Sequence, residues 1–176
     1  MADAPTTRDE ALTAIERARA AFKQAYKDVP DAALRYLPEG DDYSLGGLIV
    51  HVANAMENYV KVLDRMKAES FRQMKAAEGS GETPEMLEAL KHGFDGPERA
   101  RHWARLDSVH SALVNGVNAL GDQDFTRTAP ILFGAASEPM DTNAAMIMGW
   151  MIDHYRDHVG QVRDMLADWQ ADEQPT

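Results

Sequence analysis

The stretch HYRDHVGQV places His154 and His158 four residues apart, and in a helix that spacing sets two imidazoles on one face, one turn from each other. Two imidazoles so placed can bind one divalent metal ion. The zinc-protease motif HExxH uses the same spacing, but there a glutamate after the first histidine acts as general base, and here Tyr155 stands in its place. A metalloprotease of that type does not fit. Two side chains rarely hold a metal by themselves, and His51, in LGGLIVHVANA, is the candidate third ligand from a second helix. A buried histidine taken alone is ordinarily a hydrogen-bonded core residue, so packing is the alternative for each of the three. Burying three polar rings together is unfavourable unless their nitrogens find partners, and one cation serves all three.

Four long segments with helical periodicity position these residues, and no segment shows the sustained alternation of a half-buried strand. The first opens on TRDE, a capping box of Thr7 and Glu10, carries Leu12, Ile15, Phe22, Tyr26 and Val29 on its inner stripe, and ends at Pro30. The second starts near Ser44, is the most apolar, and fades into polar sequence and GSG at Gly79. A short helix over TPEMLEALKH begins with Thr83 as cap and Pro84 in its first turn, before GFDGP interrupts it. The third long helix begins near Pro97 and aligns Trp103, Leu106, His110, Leu113, Val117 and Leu120. A loop from Gly121 to Asp141 follows. The fourth long helix carries Ile147, Met151, His154, His158, Gln161 and Met165 along one stripe, to about Trp169. The expected fold is an all-α four-helix bundle, one domain over residues 1–176.

Composition narrows the function classes. The chain has 18 Lys+Arg against 29 Asp+Glu, a net charge of −11, which repels phosphate backbones and anionic membranes and predicts no nucleic-acid and no membrane partner. It has no cysteine, so disulfides, thiolate ligands and a cysteine nucleophile are excluded, and any thiol chemistry needs an external thiol. No apolar run reaches membrane-spanning length and MADAPTTRDE lacks the regions of a signal peptide, so a cytoplasmic location is expected. LGG at Leu45 lacks the Lys-Ser/Thr pair of a phosphate loop. The ten methionines recur at core spacing and suit gap filling rather than copper binding.

A histidine in YSLGGLIVHVANA (Tyr43 to Ala55), joined to a late HxxxHxGQ pattern in MIDHYRDHVGQVRDML (Met151 to Leu166), resembles the DinB/YfiT-like metal-binding bundles across nearly the whole chain. By that resemblance His51, His154 and His158 correspond to the family's metal-binding histidines. Val159 departs from the polar or basic residue that many relatives carry before Gly-Gln. The family's up-down-down-up order fits the helix lengths if helices two and four are antiparallel and helices two and three parallel. A connection as long as the bundle is then needed, and the segment from Gly79 to Gly96 covers about 55 Å when extended. Three neutral nitrogen ligands leave open positions on a zinc or nickel ion, or on iron or manganese. The resemblance implies a small-molecule substrate, with enzymes that add a low-molecular-weight thiol to an electrophile, thiol-dependent isomerases and hydrolases as the classes. The alternative is a metal-binding or stress-response interaction bundle without turnover. Relatives of this kind often pair through bundle faces, so a homodimer is expected.

Three residues are candidates to support such a site. Gln161, one turn beyond His158, is placed either to bond a ligand histidine or to pack between helices. Asp157 is either a carboxylate orienting an imidazole or a solvated surface charge. His110 lies on the third helix's seam, approaching the site or hydrogen-bonded in the core. His92 and His102 read as surface residues.

Overall fold

The computed structural model of the chain describes residues 5–76 and 83–173. Helix α1 (Arg8–Ala25) is capped by Thr7, whose hydroxyl accepts from the Glu10 amide while the Glu10 carboxylate accepts from the Thr7 amide. It stops short of Pro30, because Tyr26 to Asp28 wind into a turn that leads to a 3-10 turn at Asp31–Arg35. Helix α2 (Gly47–Ala68) starts where the Ser44 hydroxyl accepts from the Gly47 amide at 3.0 Å. A Cβ on Gly47 would collide with the Leu90 carbonyl, so the LGG stretch lets the start of α2 pack closely on the following segment. Helix α2 ends at Ala68, where Ser70 and Phe71 take left-handed backbone (φ 54° and 61°). The GSG around Gly79 lies outside the described residues.

Helix α3 (Pro84–His92), with Thr83 accepting from the Met86 amide, occupies the connection to α4 (Gly96–Asn118). Leu90, near the end of α3, accepts from the backbone amide of Ser44. The connector therefore runs from the end of α2 back to its beginning. Helix α6 (Ala144–Asp172) opens on Asn143, whose side chain accepts from the Met146 amide at 2.9 Å.

The chain is mostly helical, but the region expected to be a loop is structured. Helix α5 (Asp122–Thr126) is followed by β2 (Ala129–Leu132) and β3 (Met140–Thr142), and β2 pairs in parallel with β1 (Met74–Lys75) and antiparallel with β3. These strands are too short for a readable alternation, and their pairing joins segments far apart in sequence. The mostly helical chain is consistent with the expected all-α class, to which this small three-stranded sheet is added.

Helix α1 packs chiefly against α6, and α2 against α4. Phe22, Leu48, Ile49, Met56 and Ile147 are fully buried, each contributing roughly 1.5–3 kcal/mol relative to exposure. Phe22, Tyr26 and Trp103 meet edge to face at 5.2 to 5.9 Å, which ties α1 to α4. No described helix is long and apolar enough to cross a membrane.

Candidate metal centre

Helix α2 carries His51 and helix α6 carries His154 and His158 into one half-buried cluster. Ring centroids lie 4.8 Å apart for His51 and His154, 5.0 Å for His51 and His158, and 4.6 Å for His154 and His158. One nitrogen from each ring lies within 4.8 Å of the others, a group that could hold a metal ion.

The three rings are held differently. His154 Nε2 is buried and has no hydrogen-bond partner. Burial, then the neighbouring His158 and His51, push the His154 imidazole down to about 3, so it is neutral near pH 7. His158 Nδ1 lies 2.8 Å from Gln161 Oε1. An amide oxygen only accepts, so Nδ1 donates and Nε2 keeps its lone pair. Burial lowers the His158 pKa, while the Gln161 bond and the charge of Asp157 act in the opposite direction. Asp157 itself is exposed. His51 stacks on Tyr43, with ring centroids 4.1 Å apart and planes at 25°.

Sequence reasoning assigned Tyr43 no role, since it lies in the turn before α2. It also passed over Trp150, one turn before His154, which meets Tyr59 at 5.6 Å and Phe133 at 6.1 Å. All three are half-buried. The signal that could have found Trp150 and Tyr59 is their helical spacing from His154 and His51, whereas Phe133 follows β2 and carries no local signal.

The remaining histidines lie elsewhere. His110 Nδ1 is 3.2 Å from the Tyr155 hydroxyl and Nε2 is 2.9 Å from a Glu16 carboxylate oxygen, so both nitrogens are engaged away from the cluster. His92 is exposed, near Glu88 at 3.7 Å. His102, expected at the surface, is buried and stacks on Phe94 at 4.2 Å. The reason is tertiary: the chain before α4 brings the Phe94 ring back onto His102 and covers it.

The donor set suits a divalent transition metal. All three donors are imidazoles, two with lowered pKa values, and one carries a buried nitrogen left without a partner. A family model described as the DinB superfamily matches residues 14–162. The chain belongs to the DinB superfamily. No curated protein matches this DinB-superfamily chain. Among solved structures it is similar to an uncharacterised protein from Escherichia coli UTI89, at 15% identity and TM-score 0.65, covering 97% of this chain and 98% of that one. An uncharacterised protein from Clostridium difficile 630 is similar at 8% identity and TM-score 0.63, covering 94% and 96%. The colibactin self-resistance protein ClbS, crystallised in complex with double-stranded DNA, is similar at 14% identity and TM-score 0.64, covering 92% and 96%. These identities establish a shared fold.

The ClbS complex corrects the expectation that nucleic acid is excluded as a partner. Net charge sums the whole surface, whereas a DNA contact needs only a local arrangement of donors to phosphate and base edges. A charge of −11 therefore does not decide the matter.

Proposed function

We propose that this DinB-superfamily protein is a metal-dependent enzyme of the thiol S-transferase or hydrolase type, with His51, His154 and His158 holding a divalent transition-metal ion. The observation that carries the reading is the buried, unpartnered Nε2 of His154 within a cluster of three imidazoles. Zinc or nickel suits three neutral imidazoles first, and iron or manganese second. When bound, such an ion would lower the pKa of a bound thiol or water and supply a nucleophile near neutral pH.

The protein's own residues account for the rest. Gln161 fixes the His158 tautomer by accepting from Nδ1, which leaves Nε2 as the donor atom. Tyr43 covers one face of His51 and restricts its rotation. Tyr59, Trp150 and Phe133 offer apolar surface for the body of a small electrophile. Asp157 adds a negative charge that favours cation binding. His110, occupied by Glu16 and Tyr155, takes no part.

The reading includes an up-down-down-up bundle in one domain. Glu57 with Arg105, and Lys67 with the Ala119 carbonyl, join α2 to α4 at successive heights, as parallel neighbours would. Arg8 donates to the Leu120 carbonyl and Arg99 to those of Tyr26 and Val29, which supports α1 antiparallel to α4.

The test is elemental analysis of the purified protein joined to turnover assays with small thiols and electrophiles, before and after chelation. Stoichiometric metal and metal-dependent turnover are expected. A chelated protein that turns over at the untreated rate refutes the mechanism, and bound metal without turnover across the panel supports the non-catalytic bundle.

A further inference from the structure

A cavity of about 260 Å³ opens between α3 and α4, lined by Thr83, Glu85, Met86, Arg101, His102 and Arg105. Two of these residues hold nitrogens with unused hydrogen-bonding capacity. His102, 8% exposed, has a buried Nε2 without a partner. Arg105 gives Nη2 to Glu57 at 2.7 Å, but its buried Nη1 also lacks a partner. Arg101 adds a third donor group, largely exposed and paired with Glu98 at 2.6 Å. Buried donors left unmade are unfavourable, and in native proteins they ordinarily mark a bound water, ion or ligand.

We propose that this cavity binds a small monocarboxylate with an apolar body. The Arg105 guanidinium and the His102 imidazole both line the cavity, and between them would supply the donors for the two oxygens of one carboxylate. Burial, then the charge of Arg101 and, less, that of Arg105, lower the His102 pKa against the opposing charge of Glu98, so its neutral ring offers one N–H donor and adds no charge. A dianion such as phosphate is disfavoured, because Glu85 shares the lining and Glu57 already neutralises part of Arg105. Met86 supplies apolar wall, and the His102 ring, braced by Phe94, supplies a flat one. The volume is several times the ~30 Å³ share of one water molecule, room for an acid the size of benzoate. The site is built from residues outside the histidine cluster and does not depend on the metal.

The experiment titrates the full chain with benzoate, its neutral analogue benzamide, and inorganic phosphate, followed by calorimetry and by the His102 ring resonances. Benzoate is expected to bind saturably and to raise the His102 pKa, with benzamide and phosphate at least about tenfold weaker. Arg105→Gln should weaken benzoate about tenfold, and Arg101→Gln, at an exposed position that leaves folding intact, about threefold. Equal binding of benzamide would show an apolar hollow and overturn the proposal, as would tighter binding of phosphate. Unchanged benzoate affinity in Arg101→Gln and Arg105→Gln overturns it too. Should Arg105→Gln fail to fold, the benzamide comparison and Arg101→Gln decide.

Discussion

His154 and Tyr155 are neighbours in sequence but point about 100° apart around α6, and the two histidine environments they join differ in one respect. On one face His154, His158 and His51 gather with a buried Nε2 left unpartnered. On the other, His110 has one nitrogen against the Tyr155 hydroxyl and the other against Glu16, so its ring is satisfied by protein alone. His110 is buried and the three clustered rings are half-buried, all of them on helical seams. What separates a candidate ligand from a core histidine is therefore the fate of its nitrogens, and burial alone does not distinguish them.

The largest effect should come from removing the unpartnered ring. His154→Ala is expected to abolish stoichiometric metal binding, whereas His110→Ala should leave metal content unchanged and lower stability by about 1–3 kcal/mol, because the buried Tyr155 hydroxyl keeps only a weak bond to Met56 Sδ at 3.9 Å. Metal analysis after mild chelation and urea unfolding of both variants check this. Full occupancy in His154→Ala, or metal loss in His110→Ala, breaks the contrast.

Acidification should act next, through the same difference. An unfolded histidine takes up a proton near pH 6.5, whereas His154 in the fold resists protonation down to about 3. Across that window the unfolded state binds more protons, so the stability of the metal-free protein is full above pH 6.5 and falls as the pH drops toward 3. His154→Gln has no titrating ring there, and its stability should fall less steeply over the same range. Parallel unfolding curves for the two proteins between pH 6.5 and 4 would contradict the assignment.

The parts of this molecule that were legible in its sequence are those fixed by local chemistry. Thr7 with Glu10, and Thr83 with Pro84, announce helix starts because a cap bonds residues only a few positions away. The pair His154 and His158 was visible because one helix face is a property of spacing. His51 was picked out as the histidine on the apolar second helix, and the family resemblance then joined it to the pair. The three short strands were invisible, since β1 and β2 meet across more than fifty residues and β2 contains Pro130. His102 was misread because its neighbour Phe94 reaches it by a tertiary turn at Gly93, where φ is 65°. Tyr43 and Phe133 stand outside the long helices, where no periodicity points to a partner.

Gln161 tests a smaller consequence. It donates nothing to the His158 ring and accepts its Nδ1 hydrogen at 2.8 Å, so its effect on a metal would act through the tautomer it holds. Gln161→Leu should weaken metal affinity by roughly 10–100-fold, the range found when a ligand histidine loses its orienting partner. Competitive titration with a calibrated chelator measures it, and unchanged affinity would reduce Gln161 to helix packing.

The smallest effect is expected at Asp157, which touches the cluster by charge alone. It is exposed, and its influence on His158 is a through-space attraction that solvent and salt weaken. Asp157→Asn removes that attraction and lets the His158 pKa fall further, which by itself frees the ring from proton competition. It also removes a negative charge that favours a cation. The two consequences oppose each other, so metal affinity near pH 7 should change by less than about threefold, and what remains should vanish at 1 M salt, where the Debye length is about 3 Å. A loss as large as that of Gln161→Leu, persisting in high salt, would show that Asp157 orients a ligand ring directly and would move the boundary of the site to the solvent side of α6.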